Sequence, residues 1–187
     1  MLEKGKRPIT AILVTGLTIA LLLVGQYAWH KTQIEKPLTL ELNQITAVKN
    51  WSIQYDANQT KVKVTLNREA DLQETYLSLS GVLNKIIGGG KYQLEIQNTS
   101  SKKLTNFYQN IQPVLYEGLS TGRFTWLVKE VDQLAKNEGL ETKVQLDNNY
   151  LYLKVVGQDQ SIYKLLPRDN EKKQTVATDT TDAGKAK

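Results

Sequence analysis

No charged residue lies between Arg7 and Lys31, and this stretch, Pro8 to Trp29, constrains the chain more than any other, because whatever follows it must be placed relative to a membrane. At ~1.5 Å of rise per residue its 22 residues make a helix of roughly 33 Å, enough for a hydrocarbon core of about 30 Å. Ten of them are Leu, Ile or Val, each favouring insertion by about 0.3 to 0.6 kcal/mol near the helix centre, with no charge to oppose them. Tyr27 and Trp29 sit at the far end, where amphipathic rings anchor among headgroups. The expected partner of residues 8–29 is therefore the lipid bilayer.

Lys4, Lys6 and Arg7 precede the run and Lys31 and Lys36 follow it. The richer basic flank stays in the cytoplasm, so the expected topology is single-pass, N-terminus cytoplasmic, C-terminal domain extracytoplasmic. A cleaved secretory signal is the competing reading, but its apolar core is about 7 to 15 residues long and ends in small-x-small. Here the run is longer, and Ala28 has Gln26 two places before it. An uncleaved anchor fits better. The expected segments are a cytoplasmic N-terminus (1–7), the anchor (8–29), a juxtamembrane connector (30–50), an extracytoplasmic domain (51–167) and a disordered tail (168–187).

Zero cysteines exclude disulfides and thiolate metal sites, so the outer domain holds by packing alone, which points to a bacterial cell envelope. The formal net charge of +5 does not signal nucleic acid. Residues 1–8 hold three basic and one acidic side chain and residues 168–187 five and four, which leaves 16 and 14 interspersed along the body. A nucleic-acid surface concentrates its Lys and Arg on one face, so no nucleic-acid partner is expected.

Alternation and helical spacing divide the domain. Leu38, Leu40 and Leu42 alternate as in a strand, while Leu42, Ile45 and Val48 fit a helix, so the connector is open to both readings. Trp51, Ile53 and Tyr55, then Val62, Val64 and Leu66, alternate as a hairpin with one buried face. Asp71 followed by Glu74 resembles a capping box, and Leu72, Tyr76, Leu79, Leu83 and Ile86 give a first helix, stopped by Gly88-Gly89-Gly90. Tyr92, Leu94 and Ile96 make a third strand. Ser100 or Ser101 caps a second helix, kinked at Pro113, and Thr121 caps a third that ends at Gly139. A second hairpin turns at Asn148-Asn149, and residues 162–166 add a short edge strand. The expected fold class is α+β: an N-terminal transmembrane helix followed by a two-layer sandwich of a mainly antiparallel sheet with about three helices on one face.

Catalytic chemistry finds little purchase in these residues. His30 is the only histidine and lies at the membrane boundary, which removes His-dependent triads and multi-histidine metal sites. Gly88-Gly89-Gly90-Lys91 lacks the earlier Gly and the following Ser or Thr of a phosphate loop and runs from helix to strand instead of strand to helix. No metal and no cofactor is expected. Two sites remain as candidates. Ser120, Thr121, Gly122 and Arg123 combine hydroxyls, a guanidinium and the free N–H groups of a helix start, the makings of an anion site. Gln54, Lys63, Gln93, Gln97, Lys143, Gln145 and Tyr152 fall on the solvent side of the alternation, a polar sheet face suited to a protein or cell-wall partner. The resulting expectation is a membrane-anchored extracytoplasmic binding or assembly module of the bacterial cell envelope, not an enzyme. The alternatives are an anchored carboxylate-dependent enzyme acting on cell-wall polymer and, with reversed topology, a cytoplasm-facing adaptor.

Overall fold

The computed structural model describes residues 14–22, 31–56, 59–158 and 160–168. Residues 14–22 are helical, with Val14, Leu17, Ile19, Leu21 and Leu22 all exposed. The rest of the expected span, the N-terminal flank and the tail after Arg168 lie outside the described residues. Among the described residues no helix is long and apolar enough to cross a membrane.

The connector resolves as a helix. A π turn at Lys31–Glu35 runs directly into α1 (Lys36–Gln44), with Pro37 in the first turn, where its missing N–H costs nothing. Leu38 and Leu42 are both fully buried while Leu40 is 68% exposed, a spacing only a helix produces. β1 (Val48–Tyr55) then pairs antiparallel with β2 (Thr60–Leu66), Ser52 opposite Lys63 and Gln54 opposite Lys61. The register slips between Val48 and Asn50.

α2 (Leu72–Ile86) starts where the capping pattern places it: the Asp71 carboxylate accepts the Glu74 N–H at 2.9 Å. Its stripe buries Leu72, Thr75, Leu79 and Leu83. The helix carries the chain back along the sheet, so β3 (Tyr92–Ile96) pairs parallel to β2 and not antiparallel. This first module, with β2 central in the order β1-β2-β3, packs α1 and α2 over Val62, Val64 and Leu66.

The second module begins with α3 (Lys102–Thr121), capped by Ser101 through the Leu104 N–H. It passes through the exposed Pro113 as one element and ends at Gly122 in the left-handed conformation (φ 71°). α4 (Phe124–Asn137) starts after Arg123, which offers no side-chain cap. Thr121 belongs to the helix before it and does not cap the one after. β4 (Glu141–Leu146), β5 (Tyr150–Val156) and β6 (Ser161–Pro167) form an antiparallel meander whose Leu151, Leu153, Val155, Ile162 and Leu166 pack on α3 and α4.

The chain is thus mixed α+β with two three-stranded sheets, which corrects the single sheet expected from the sequence. The physical reason lies in β5 and β6. Their other side carries Tyr150, Tyr152, Tyr163 and Leu165, which join the first module's core instead of facing water. A strand apolar on both sides is a strand covered on both faces.

α3 and α4 meet at Gly118, where an added Cβ would sit 2.7 Å from the Leu127 Cβ. Gly118→Ala should lower stability by about 1 to 3 kcal/mol through overpacking, despite the gain in helix propensity that alanine normally brings. Chemical denaturation of the two proteins checks this, and equal or greater stability in the variant would contradict the crossing geometry.

Candidate functional site

The outer face of the first sheet is its polar one, because alternation sends Val62, Val64, Leu94 and Ile96 inward to α1 and α2. The opposite positions line up in cross-strand rows. Gln54 lies opposite Lys61, which lies beside Gln93; Ser52 lies opposite Lys63, which lies beside Glu95. Ser52, Gln54, Gln93 and Glu95 are exposed, Lys61 and Lys63 half-buried. Lys61 is held above the ordinary lysine range by the Asp56 carboxylate, to which its Nζ donates at 2.8 Å. Gln97 follows the end of β3, its N–H donating to the Val64 carbonyl and its amide to Glu95. The face therefore offers amides, amines and a carboxylate in register, hydrogen-bonding chemistry with few fixed partners.

At the β1 edge the Trp51 N–H is taken by the Asn50 side chain at 2.8 Å, and the Trp51 indole donates to Asn43 at 3.3 Å. With the register slip, these contacts blunt part of an edge that would otherwise recruit another strand.

Lys143, Gln145 and Tyr152 lie elsewhere. They share the inward face of the second sheet, where they join the two modules. The Asp71 carboxylate that caps α2 also accepts Lys143 Nζ at 2.6 Å and Gln145 Nε2 at 3.0 Å. Burial pushes its pKa up, but hydrogen bonds from Lys143, the Glu74 N–H and Gln145 outweigh that and hold it below the ordinary carboxylate value. Tyr152 is 1% exposed, packs against Tyr76 and Tyr150 with ring centroids 5.8 and 6.1 Å away, and donates its hydroxyl to Asp147 at 2.6 Å. Burial and the adjacent Asp147 raise its pKa well above the usual phenol value. Lys154 donates to the Arg68 and Ala70 carbonyls, and Arg68 to those of Gly157 and Gln158. Of the seven sheet-face residues, Gln54, Lys63 and Gln93 thus share the open face and Gln97 adjoins it, while the other three are engaged inside the molecule. The strand tyrosines Tyr150 and Tyr163 of this junction escaped the sequence reading; the signal was their alternation with Leu151, Leu153 and Ile162 on the opposite side.

The α3–α4 turn does bring Ser120 to Arg123 together, but their polar groups serve the turn. Both hydroxyls donate to the Glu117 carbonyl, at 3.0 and 2.6 Å. Arg123 pairs with the Glu117 carboxylate at 3.5 Å and stacks over Trp126. An anion there would compete with Glu117.

A small cleft of about 180 Å³ opens at the junction between Arg68, Glu69, Glu141, Lys143 and Lys154. Among the described residues no group of His, Asp or Glu is placed to hold a metal ion. Fold and site together describe an α+β chain with one covered and one open sheet. It matches no protein-family model and none of the curated proteins.

Two outcomes follow from the junction. Because the folded pKa of Asp71 lies below its unfolded value of about 3.9, its contribution to stability is complete above that pH and is lost as the pH falls through the folded value. Asp71→Asn should therefore destabilise at pH 7 and flatten the acid limb of the stability profile; thermal melts between pH 2 and 7 that show parallel limbs would refute this. The Tyr163 hydroxyl is buried with no hydrogen-bond partner. Tyr163→Phe should leave stability equal or higher, whereas Tyr152→Phe should cost about 1.5 to 3 kcal/mol by stripping the Asp147 carboxylate of a donor, a contrast that denaturant midpoints resolve.

Proposed function

We propose that the chain is a membrane-anchored binding or assembly module of the bacterial cell envelope. Residues 8–29 hold it in the bilayer, its N-terminus stays in the cytoplasm, and its α+β part engages a protein or cell-wall partner outside. The uncharged run and its basic N-terminal flank support the anchor and its direction. The observation that carries the binding role is the contrast between the two sheets. The second is covered on one face by α3 and α4 and on the other by the first module. The first leaves one whole face to solvent, set with Ser52, Gln54, Lys63, Gln93 and Glu95. The side chains there offer amide, amine, hydroxyl and carboxylate hydrogen bonds in register across three strands, which favours recognition.

A photo-crosslinking residue at Gln54 or Gln93 in the full chain, activated in intact cells, should give one discrete adduct of constant mass, while the same group at Lys129 on the exposed side of α4 should give none. External protease should degrade the domain in intact cells. Equal labelling from all three positions, or protection from protease, would overturn the reading. Turnover of purified wall polymer that is lost on a single Asp or Glu substitution would favour the enzyme instead.

A further inference from the structure

The first module has two distinct ends. β2 and β3 both start at one end, with Thr60 and Tyr92, and both finish at the other, with Leu66 and Ile96. Seven residues of β2 at ~3.3 Å each separate the ends by about 20 Å. The start of α1 is fixed to the first end, because the Tyr55 hydroxyl donates to the Glu35 carboxylate at 3.3 Å. The glycine turn belongs there too: Thr60 donates to the Lys91 carbonyl at 3.0 Å and the Gln59 amide to that of Tyr92 at 3.0 Å. Lys36, Lys61 and Lys91 share this end with Glu35 and Asp56, and Lys61 is paired with Asp56 at 2.8 Å.

All the junction contacts fall at or toward the opposite end. Arg68, Ala70 and Asp71 follow β2, Asn98 and Thr99 follow β3, and together they hold Gly157, Lys154, Lys143, Tyr163 and Ser161. The β5–β6 turn and the start of α3 are carried beyond that end, since Gly157 adjoins Leu104 and Leu140.

We infer that the end bearing Lys36, Lys91 and the Gly88–Gly90 turn rests on the headgroups of an anionic bilayer, with the second module carried outward. This inference rests on the anchor proposed above. Glu35 lies only six positions after Trp29, and the last five of these, Lys31–Glu35, are coiled into the π turn. The reach from the end of the apolar run to Glu35 is then on the order of 13 Å, too short to turn the opposite end toward the membrane. Charge agrees with the geometry. Asp56 neutralises Lys61, and Lys36 and Lys91 outnumber Glu35, the carboxylate left beside them, so this end keeps a positive excess to meet negative headgroups. Leu40, 68% exposed one turn beyond Lys36 and lining an open groove with Glu35 and Thr39, gives the same end an apolar contact.

The absence of native cysteine permits a direct test. Full-length Lys91→Cys and Lys102→Cys, each carrying one environment-sensitive fluorophore, are reconstituted in phosphatidylglycerol–phosphatidylcholine vesicles containing a headgroup nitroxide lipid. Quenching should be at least twofold stronger at 91 than at 102, and replacing phosphatidylglycerol by phosphatidylcholine, or adding Lys36→Glu, should reduce it at 91. Protein that fails to float with the vesicles would overturn the anchor and this inference with it. Protein that floats but is quenched equally at both positions, or more strongly at 102, would overturn the orientation alone. Unchanged quenching without anionic lipid would overturn the headgroup contact.

Discussion

The second sheet is docked on the first module at Asp71 and the ring cluster around it. That carboxylate closes the first turn of α2 and, with its other oxygen, receives Lys143 from β4. Local helix initiation and long-range docking thus share one side chain. Around it the Tyr76–Tyr150–Tyr152 cluster supplies the apolar area that a polar clasp alone would lack. The ion pair is partly solvated and is worth little by itself; its role is to fix register while the rings provide most of the burial.

From this follows the division of labour between the sheets. With its inward face committed to the first module and its outward face to α3 and α4, the second sheet is scaffold. The first sheet keeps one face for water because nothing else in the described chain packs on it. Polar residues there are in register across three strands, and the edge at Trp51 is shielded by the Asn50 side chain, which suits selective contact better than open-ended strand stacking.

Much of the local structure is legible in the sequence. Asp71 before Glu74, the alternation from Trp51 to Leu66, and Gly139 at positive φ each encode their element through backbone chemistry alone. What alternation does not encode is where a strand's second face goes. Tyr152 carries a hydroxyl and reads as solvent-facing, yet its ring is buried and its polar tip satisfied by Asp147. Likewise Lys143 and Gln145 read as wet positions, and their partner lies 72 and 74 residues away, beyond the reach of any local pattern. The connector was ambiguous for the opposite reason: three leucines at spacing two satisfy a strand, and only the burial of Leu38 and Leu42 without Leu40 decides for the helix. The open face was half legible, since Gln54, Lys63 and Gln93 follow from alternation, whereas their separation from Tyr152 required the topology.

The central claim is that the two modules form one cooperative unit through this junction. Each carries one tryptophan, Trp51 in β1 and Trp126 in α4, and the remaining Trp29 lies in the apolar run. Urea unfolding of two variants, Trp29→Phe/Trp126→Phe and Trp29→Phe/Trp51→Phe, followed by fluorescence and corrected for each variant's global stability by circular dichroism, reads the modules separately. The account predicts that each tryptophan transition coincides with its variant's global one; a module that melts while the other remains folded would contradict it.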